Sequence, residues 1–402
     1  MRNGKTNNKE SRCDESWKMS ASSKPIYLDY NATTPIDPQV REAMLPYLGE
    51  HFGNPSSSYI YGQNARSAVE HARSQVADLI GATPEEIVFT SSGSEGNNHA
   101  IIGAAMANAE RGKHIITSRI EHPAVLKTCR YLEIRLGFKV TYVPVDEYGL
   151  VDLDDIRTAI RKDTILITIM HANNEVGTIA PIEEIGQMAK ERGILFHTDA
   201  AQSCGKVEVD VSRLHVDLLT LVGHKLYAPK GVGALFIRKG VNIDSFIHGG
   251  GQEKGRRAGT ENVPYMVALG AACDIARSLL SHYQKEIKQL RDRLHFIIET
   301  GLGEDAIRLN GHPERRLPNT LNISIRGVVG EELLHQIPEI AASTGSACHA
   351  GSTEPSGVLL AMGLSQELAL GALRLTLGRW STREGVEKAG ELIVAQAKRL
   401  LS

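Results

Sequence analysis

Leu219-Thr220-Leu221-Val222-Gly223-His224-Lys225-Leu226-Tyr227-Ala228-Pro229-Lys230-Gly231 is the stretch from which the rest of the chain is read. The apolar run from Val216 to Val222 reads as a buried strand, and Gly223-His224-Lys225 follows where the pattern breaks. That puts a lysine at the mouth of a core rather than on a solvated face. Burial disfavours the ammonium form, and a partly neutral amine is what a Schiff-base nucleophile must be. From this stretch alone, a lysine that snorkels to the surface is an equal alternative. Upstream, Phe196-His197-Thr198-Asp199-Ala200-Ala201-Gln202 shifts the balance, because it is a second short apolar strand, running from Ile194 and ending on a carboxylate.

Outward from these two strands, the chain from Tyr27 on alternates short apolar runs with helical periods, the pattern of a doubly wound α/β domain. Strands are expected at 86–90, 114–118, 140–145, 164–170, 194–198, 218–222 and 233–238. The clearest helix carries Ile182, Ile185, Met188 and Ala189 on one face, with Glu183, Glu184, Lys190 and Glu191 away from it. Strands this apolar imply a mainly parallel sheet covered on both sides. Ligands of such sheets bind beyond the carboxyl ends of the strands, where Asp199 and Lys225 fall. A long helical stretch over about 264–300 links this sheet to a second domain, in which 320–325 alternates as a half-buried strand should. The last helix opens on Ser381-Thr382-Arg383-Glu384, a capping box, and puts Val386, Ala389, Ile393, Ala397 and Leu400 on one stripe.

The 402 residues, 42% of them hydrophobic, suffice for a large core and more than one domain. The expected division is a polar, disordered tail over 1–24, a large domain over 25–265 and a smaller α+β C-terminal domain over 266–402. A net charge of −2 gives no reason to expect nucleic acid or an anionic membrane surface as the main partner. No apolar stretch approaches the roughly 20 residues of a membrane span, and the N-terminus lacks the apolar core of a signal peptide. A cytoplasmic protein is expected. Cys13, Cys129, Cys204, Cys273 and Cys348 are odd in number and contain no C-x-x-C pair, so neither a disulfide framework nor a metal site is suggested.

A lysine and an aspartate at adjacent strand ends are the two groups that pyridoxal phosphate requires of its protein. The lysine holds the aldehyde as an imine, and the aspartate pairs with the pyridinium nitrogen so that the ring acts as an electron sink. Ser91-Ser92-Gly93-Ser94-Glu95 reads as a glycine turn opening a helix, where free N–H groups and the helix dipole cradle a phosphate. An ordinary N-cap at Ser94 is the alternative. Gly345-Ser346-Ala347-Cys348-His349-Ala350-Gly351-Ser352-Thr353-Glu354-Pro355-Ser356 surrounds a thiol with small neighbours that leave its sulfur accessible.

Gly223-His224-Lys225, with His197-Thr198-Asp199-Ala200-Ala201-Gln202 ahead of it, resembles the class V aminotransferase-type enzymes that use pyridoxal phosphate. Within them it is similar to the cysteine desulfurases and selenocysteine lyases, from about Tyr27 to the C-terminus. The resemblance implies the fold type I transferase architecture, with Lys225 as the cofactor lysine. It gives Asp199 the ring nitrogen, and it gives Ser94, His224 and Thr260, with the Gly93 turn, the phosphate, Thr260 coming from the second subunit of a homodimer. His122 matches the family's ring-stacking histidine and is a further catalytic candidate, Asn174 and Gln202 match the positions that bond the ring oxygen, and Asn174 also borders the substrate. Arg374 takes the substrate carboxylate, a task suited to a guanidinium fork.

Ser-Ala-Cys followed by Glu-Pro-Ser resembles the cysteine desulfurase loop, and the resemblance implies that Cys348 is the nucleophile that would receive sulfur from L-cysteine as a persulfide, leaving L-alanine, for delivery to an acceptor protein. The alternative implied is release of selenium from L-selenocysteine. Desulfurases usually carry serine at Val222 and histidine at Tyr59, and those two positions look more like animal selenocysteine lyases.

Overall fold

The computed structural model describes residues 24–345 and 354–402, so the expected N-terminal tail up to residue 23 and Cys348 itself lie outside the described residues. A two-residue strand, β1 (Ile26–Tyr27), opens the chain. The next seven are β2 (Ile87–Thr90), β3 (His114–Ser118), β4 (Lys139–Val143), β5 (Thr164–Thr168), β6 (Leu195–Asp199), β7 (Leu218–Val222) and β8 (Gly233–Ile237). They fall on the seven apolar runs and form one sheet in the order β2-β8-β7-β6-β5-β3-β4. The pairings from β7 across to β4 are parallel, and β8 runs antiparallel to both of its neighbours. The sheet is therefore α/β and mainly parallel, as its apolar strands require.

Both faces of this sheet are covered, and the period-two geometry of a strand divides its residues between them. Ile87, Phe89, Ala234 and Phe236 join one core, whereas Val88, Leu235 and Ile237 join the other. The first core also takes in Met266, Leu269 and Cys273 of the helix Val263–Ser278. That helix and the following segment, expected as one continuous stretch, are bent by 54° where Leu279 leaves helical geometry and a π-helical turn, Tyr283–Ile287, follows. No single helix among the described residues is long and apolar enough to cross a membrane, although this bent pair would pass by length and composition.

Past the bend, a separate core forms around Ile287, Leu294, Ile298 and the stripe Val386, Ala389, Ile393 and Ala397, and Leu28 and Tyr30 from the N-terminus join it. It packs on a second, antiparallel sheet made by β9 (Ile307–Asn310), β10 (Thr320–Ile325) and β12 (Ala372–Thr376), in the order β12-β10-β9. β11 (Ile340–Ala341) pairs in parallel with β1, setting the N-terminal segment beside residues 340–341. The last helix, Arg383–Leu401, starts one residue later than the capping box implied. Thr382 is the cap, its Oγ1 accepting from Gly385 N at 3.1 Å, while Ser381 Oγ accepts from Gly378 N.

Candidate active site

Asp199 ends β6 and Lys225 closes the short 3-10 turn Gly223–Lys225 that follows β7, so the two groups stand at the carboxyl ends of adjacent parallel strands. The turn needs its glycine, because a Cβ on Gly223 would come within 2.9 Å of Val232 and 3.1 Å of Ala228. Asp199 is buried, with one oxygen accepting from Asn97 Nδ2 at 2.7 Å and the other from Ala201 N at 2.9 Å. The Lys225 ammonium donates to the backbone carbonyls of Asn31 and, at 2.5 Å, Ala32. Burial first, and then the positive charge of Arg374, bring its pKa from 10.5 down to about 8, against the opposing pull of Asp29 and Asp199. An amine with that pKa is partly neutral near neutral pH, as a nucleophile or proton acceptor must be.

The helix Gly93–Ala107 starts at the same end of the sheet. Thr90, at the end of β2, pairs with Gly233, which pairs in turn with Val222, so the helix start lies level with the end of β7. Its cap is Ser92, not Ser94: the Ser92 backbone is extended and its Oγ accepts from Glu95 N at 3.1 Å. Ser94 is thereby left inside the first turn, exposed, with its hydroxyl free for a ligand. Val222 stands against this turn, 3.4 Å from where a Cβ on Gly93 would sit, so the valine puts methyl groups beside the helix start. His224 Nδ1 faces Thr33 Oγ1 at 3.2 Å, and burial followed by the charge of Lys225 lowers its pKa to about 4, so it is a neutral imidazole.

His122 caps the helix Pro123–Leu136 through Nδ1, which accepts from Ala124 N at 3.1 Å. Arg374 comes from the other sheet, on β12, and is 7% exposed. It donates to Asp29 Oδ1 at 2.9 Å and to the Asn174 carbonyl at 3.2 Å, and among the described residues its buried Nε has no partner. A buried guanidinium with a spare N–H is poised for an incoming carboxylate.

One cavity of about 1070 Å³ gathers these groups. Gly93, Ser94, His122, Asn174, Asp199, Gln202, His224, Lys225 and Arg374 all line it. Thr260 does not, and it is exposed on its own chain. The same wall holds residues the sequence did not single out. Asp29 and Asn31 come from the N-terminal segment, Asn97 from the helix opened by Gly93, and Glu121 and Glu175 from loops beyond the strand ends. Glu121 is almost fully buried. Its Oε1 accepts from Ser118 Oγ at 2.6 Å and Met170 N at 2.9 Å, and burial raises its pKa to about 8. The sequence signal for Asn97 was its place one helical turn after Gly93, on the face turned to Asp199. Asp29 and Asn31 carry no periodic signal at all.

The donor set fits pyridoxal phosphate. A neutral-leaning amine, a buried carboxylate with its own amide support, and a helix N-terminus with free N–H groups suit an aldehyde, a pyridinium and a phosphate respectively. The orphaned Arg374 Nε supplies a place for an amino-acid carboxylate beside them.

Known proteins are similar to this chain over most of its length. The family model for Aminotransferase class-V matches residues 26–389. A protein of Methanosarcina thermophila named cysteine desulfurase IscS is 52% identical over 381 residues, covering 94% of this chain and 93% of its own. Its namesake from Dictyoglomus turgidum is 52% identical over 364 residues, or 90% and 91% of the two chains. Among solved structures, a NifS-like protein superposes with a TM-score of 0.86 at 39% identity over 92% of this chain and 98% of that one. A structure described as SspA in complex with cysteine gives 0.78 at 41% identity over 89% and 99%. A match that runs from β1 through every strand of both larger sheets and into the last helix leaves one assignment: the chain belongs to the class-V aminotransferase family.

Proposed function

We propose that the chain is a pyridoxal-phosphate-dependent cysteine desulfurase, which converts L-cysteine to L-alanine and takes the sulfur onto Cys348 as a persulfide. The observation that carries this is the meeting, in one cavity, of the acid-shifted Lys225 amine with Asp199 at the neighbouring strand end and Arg374 from the second sheet. The relatives named cysteine desulfurase at about half identity support the same substrate. When bound, pyridoxal phosphate supplies an electron sink at the substrate's α-carbon.

The chain's own residues do the rest. Lys225 anchors the cofactor, and Asp199, steadied by Asn97, holds a proton on the ring nitrogen. Gly93 and Ser94, with His224, would offer donors to the phosphate, His122 would lie against the ring, and Gln202 and Asn174 would border its oxygen. Arg374 would fix the substrate carboxylate, its Nη2 contact with Asp29 restraining the guanidinium. The Lys225 amine would accept the substrate's α-proton, a role its pKa of about 8 allows. Cys348 then attacks the substrate sulfur. A sulfur–sulfur bond forms, the carbon–sulfur bond breaks, and its electron pair stays on the carbon, which is protonated to alanine.

In the assembled protein we place a homodimer, with Thr260 serving the partner's phosphate end. Two features support it: Thr260 is exposed and outside its own cavity, and Phe52, Tyr59, Ile60 and Tyr61 form an exposed apolar patch in which Phe52 stacks on Tyr61 at 5.4 Å. An acceptor protein takes the sulfur onward. The free, buried thiols of Cys129, Cys204 and Cys273 fit a reducing cytoplasm.

Purified protein should be yellow and should form alanine and a Cys348 persulfide from L-cysteine. Lys225→Ala should remove colour and turnover together, and Cys348→Ala should keep the colour and lose sulfur transfer. Turnover that survives Lys225→Ala sinks the assignment. Val222, set against Gly93, favours selenocysteine lyase as the second reading, and rates on L-cysteine and L-selenocysteine measured side by side decide between them.

A further inference from the structure

Lys206 is a buried cation for which the mechanism above has no use. It lies four residues past Gln202 in the turn after β6 and is 2% exposed. Among the described residues it makes no ion pair with a carboxylate. Its ammonium instead donates to two amide oxygens, Gln202 Oε1 at 2.9 Å and Asn31 Oδ1 at 3.4 Å. An ammonium has donors and no acceptor, so each amide beside it must turn its oxygen inward.

For Gln202 the consequence is a fixed face. With Oε1 held by Lys206, Nε2 points the other way and gives one N–H to the Asn31 carbonyl at 3.0 Å. The second N–H belongs to a side chain that lines the cavity. Asn31 is oriented by the same cation. Its Oδ1 also receives Asn319 Nδ2 at 3.1 Å, and its own Nδ2 donates to Thr320 Oγ1 at 2.9 Å and the Asn174 carbonyl at 3.2 Å. The backbone carbonyl of Asn31 is in turn an acceptor for Lys225. Lys206, together with the Asn31 and Asn174 carbonyls, thus sets the polarity of a network that reaches the reactive lysine. Burial first, and then the charges of Lys225 and Arg374, bring the Lys206 pKa from 10.5 down to about 7, with the Cys204 sulfur opposing them, so the ammonium is the main form below that pH.

We propose that Lys206 is a positioning residue, which locks the Gln202 amide with a donor N–H toward the cavity so that this part of the site takes an anionic oxygen, the phenolate of pyridoxal phosphate. The inference rests on the functional reading above. A donor and a cation behind that oxygen stabilise its negative charge and weaken the hold on the proton it shares with the Lys225 nitrogen. Their loss strengthens that hold.

The test is a pH titration of the visible absorption of the cofactor-loaded protein. In Lys206→Met the midpoint should rise by about one pH unit, with cofactor affinity about tenfold weaker. Lys206→Arg keeps a donor-only cation and should hold the parent midpoint. Gln202→Glu, which keeps an oxygen toward Lys206 but removes both Nε2 N–H groups, the one on Asn31 and the cavity-facing one, and adds a negative charge, should shift in the same direction as Lys206→Met and stands in for it if that variant does not fold. A folded, coloured Lys206→Met or Gln202→Glu protein with an unmoved midpoint overturns the inference alone, as does a Lys206→Arg shift as large as that of Lys206→Met. A colourless parent protein overturns the functional reading and this inference with it.

Discussion

Replacing Glu175 by glutamine removes a buried charge while keeping its shape. Glu175 is 8% exposed, and its Oε2 accepts from Ser356 Oγ at 2.5 Å. On the other flank of the segment that carries Cys348, Gly345 adopts φ +93°, and a Cβ there would come within 3.4 Å of the same oxygen. Burial raises the Glu175 pKa from 4.5 to about 7, against the Ser356 hydrogen bond and the charge of Arg374. The folded protein therefore keeps this proton up to about pH 7, whereas the unfolded chain releases it near 4.5. Stability from this group is full below the lower value and is lost as pH rises through the upper one. At 1.36 kcal/mol per pH unit the loss is about 3 kcal/mol. Glutamine can still accept from Ser356 and carries no such term. In urea unfolding of the two proteins side by side, the advantage of Glu175→Gln should be small at pH 5 and reach about 3 kcal/mol by pH 8. Glu121 is also acid-weakened, but it is present in both proteins and cancels. A gap that stays constant across this range, within about 0.5 kcal/mol, would refute the argument.

Three other outcomes follow from the same geometry. With its pKa near 8, Lys225 should capture pyridoxal phosphate in the cofactor-free protein at a rate that levels off above about pH 8 rather than climbing toward 10.5, followed by visible absorbance. Arg374→Lys replaces a planar fork by a point charge and should raise KM for L-cysteine by about tenfold to a hundredfold with a smaller change in kcat, in steady-state assays. Arg73→Met should cost about 3–5 kcal/mol in urea unfolding. It strands the buried Glu253 carboxylate, whose bidentate partner is Arg73 at 2.7 and 2.9 Å.

The sheet was legible because strand burial writes itself into composition. All seven large-sheet strands fall on the apolar-rich runs, and only their bounds moved by a residue or two, as at β4, which starts at Lys139. The bend near Leu279 was not legible, since the residues on either side keep helical periodicity and the break comes from packing against two different cores. The caps show the same limit. Ser94 and Ser381 each sit one or two residues from the true cap, Ser92 or Thr382, because neighbouring hydroxyls offer equal chemistry and only the backbone path chooses between them.

The site divides along similar lines. Lys225, Asp199 and Arg374 stand out because a charge at the end of, or within, an apolar strand is costly and needs a reason. Asn31, Glu175 and Lys206 do not stand out. They lie in turns and loops, where polar residues are expected, and only the fold reveals that these loops are buried. That burial gives them their properties. In a solvated loop Lys206 would be a freely rotating cation near pKa 10.5, and Glu175 an ordinary carboxylate near 4.5. In the fold, the lysine becomes a fixed donor for two amides and the glutamate a near-neutral acid that accepts from Ser356 on one flank of the Cys348 segment. Chemistry carried by residue type is thus visible in the sequence at the strand ends. The groups that orient it become visible only when the loops close over them, and substitutions at Lys206 or Glu175 should alter the reaction's pH behaviour without removing any group that touches the substrate.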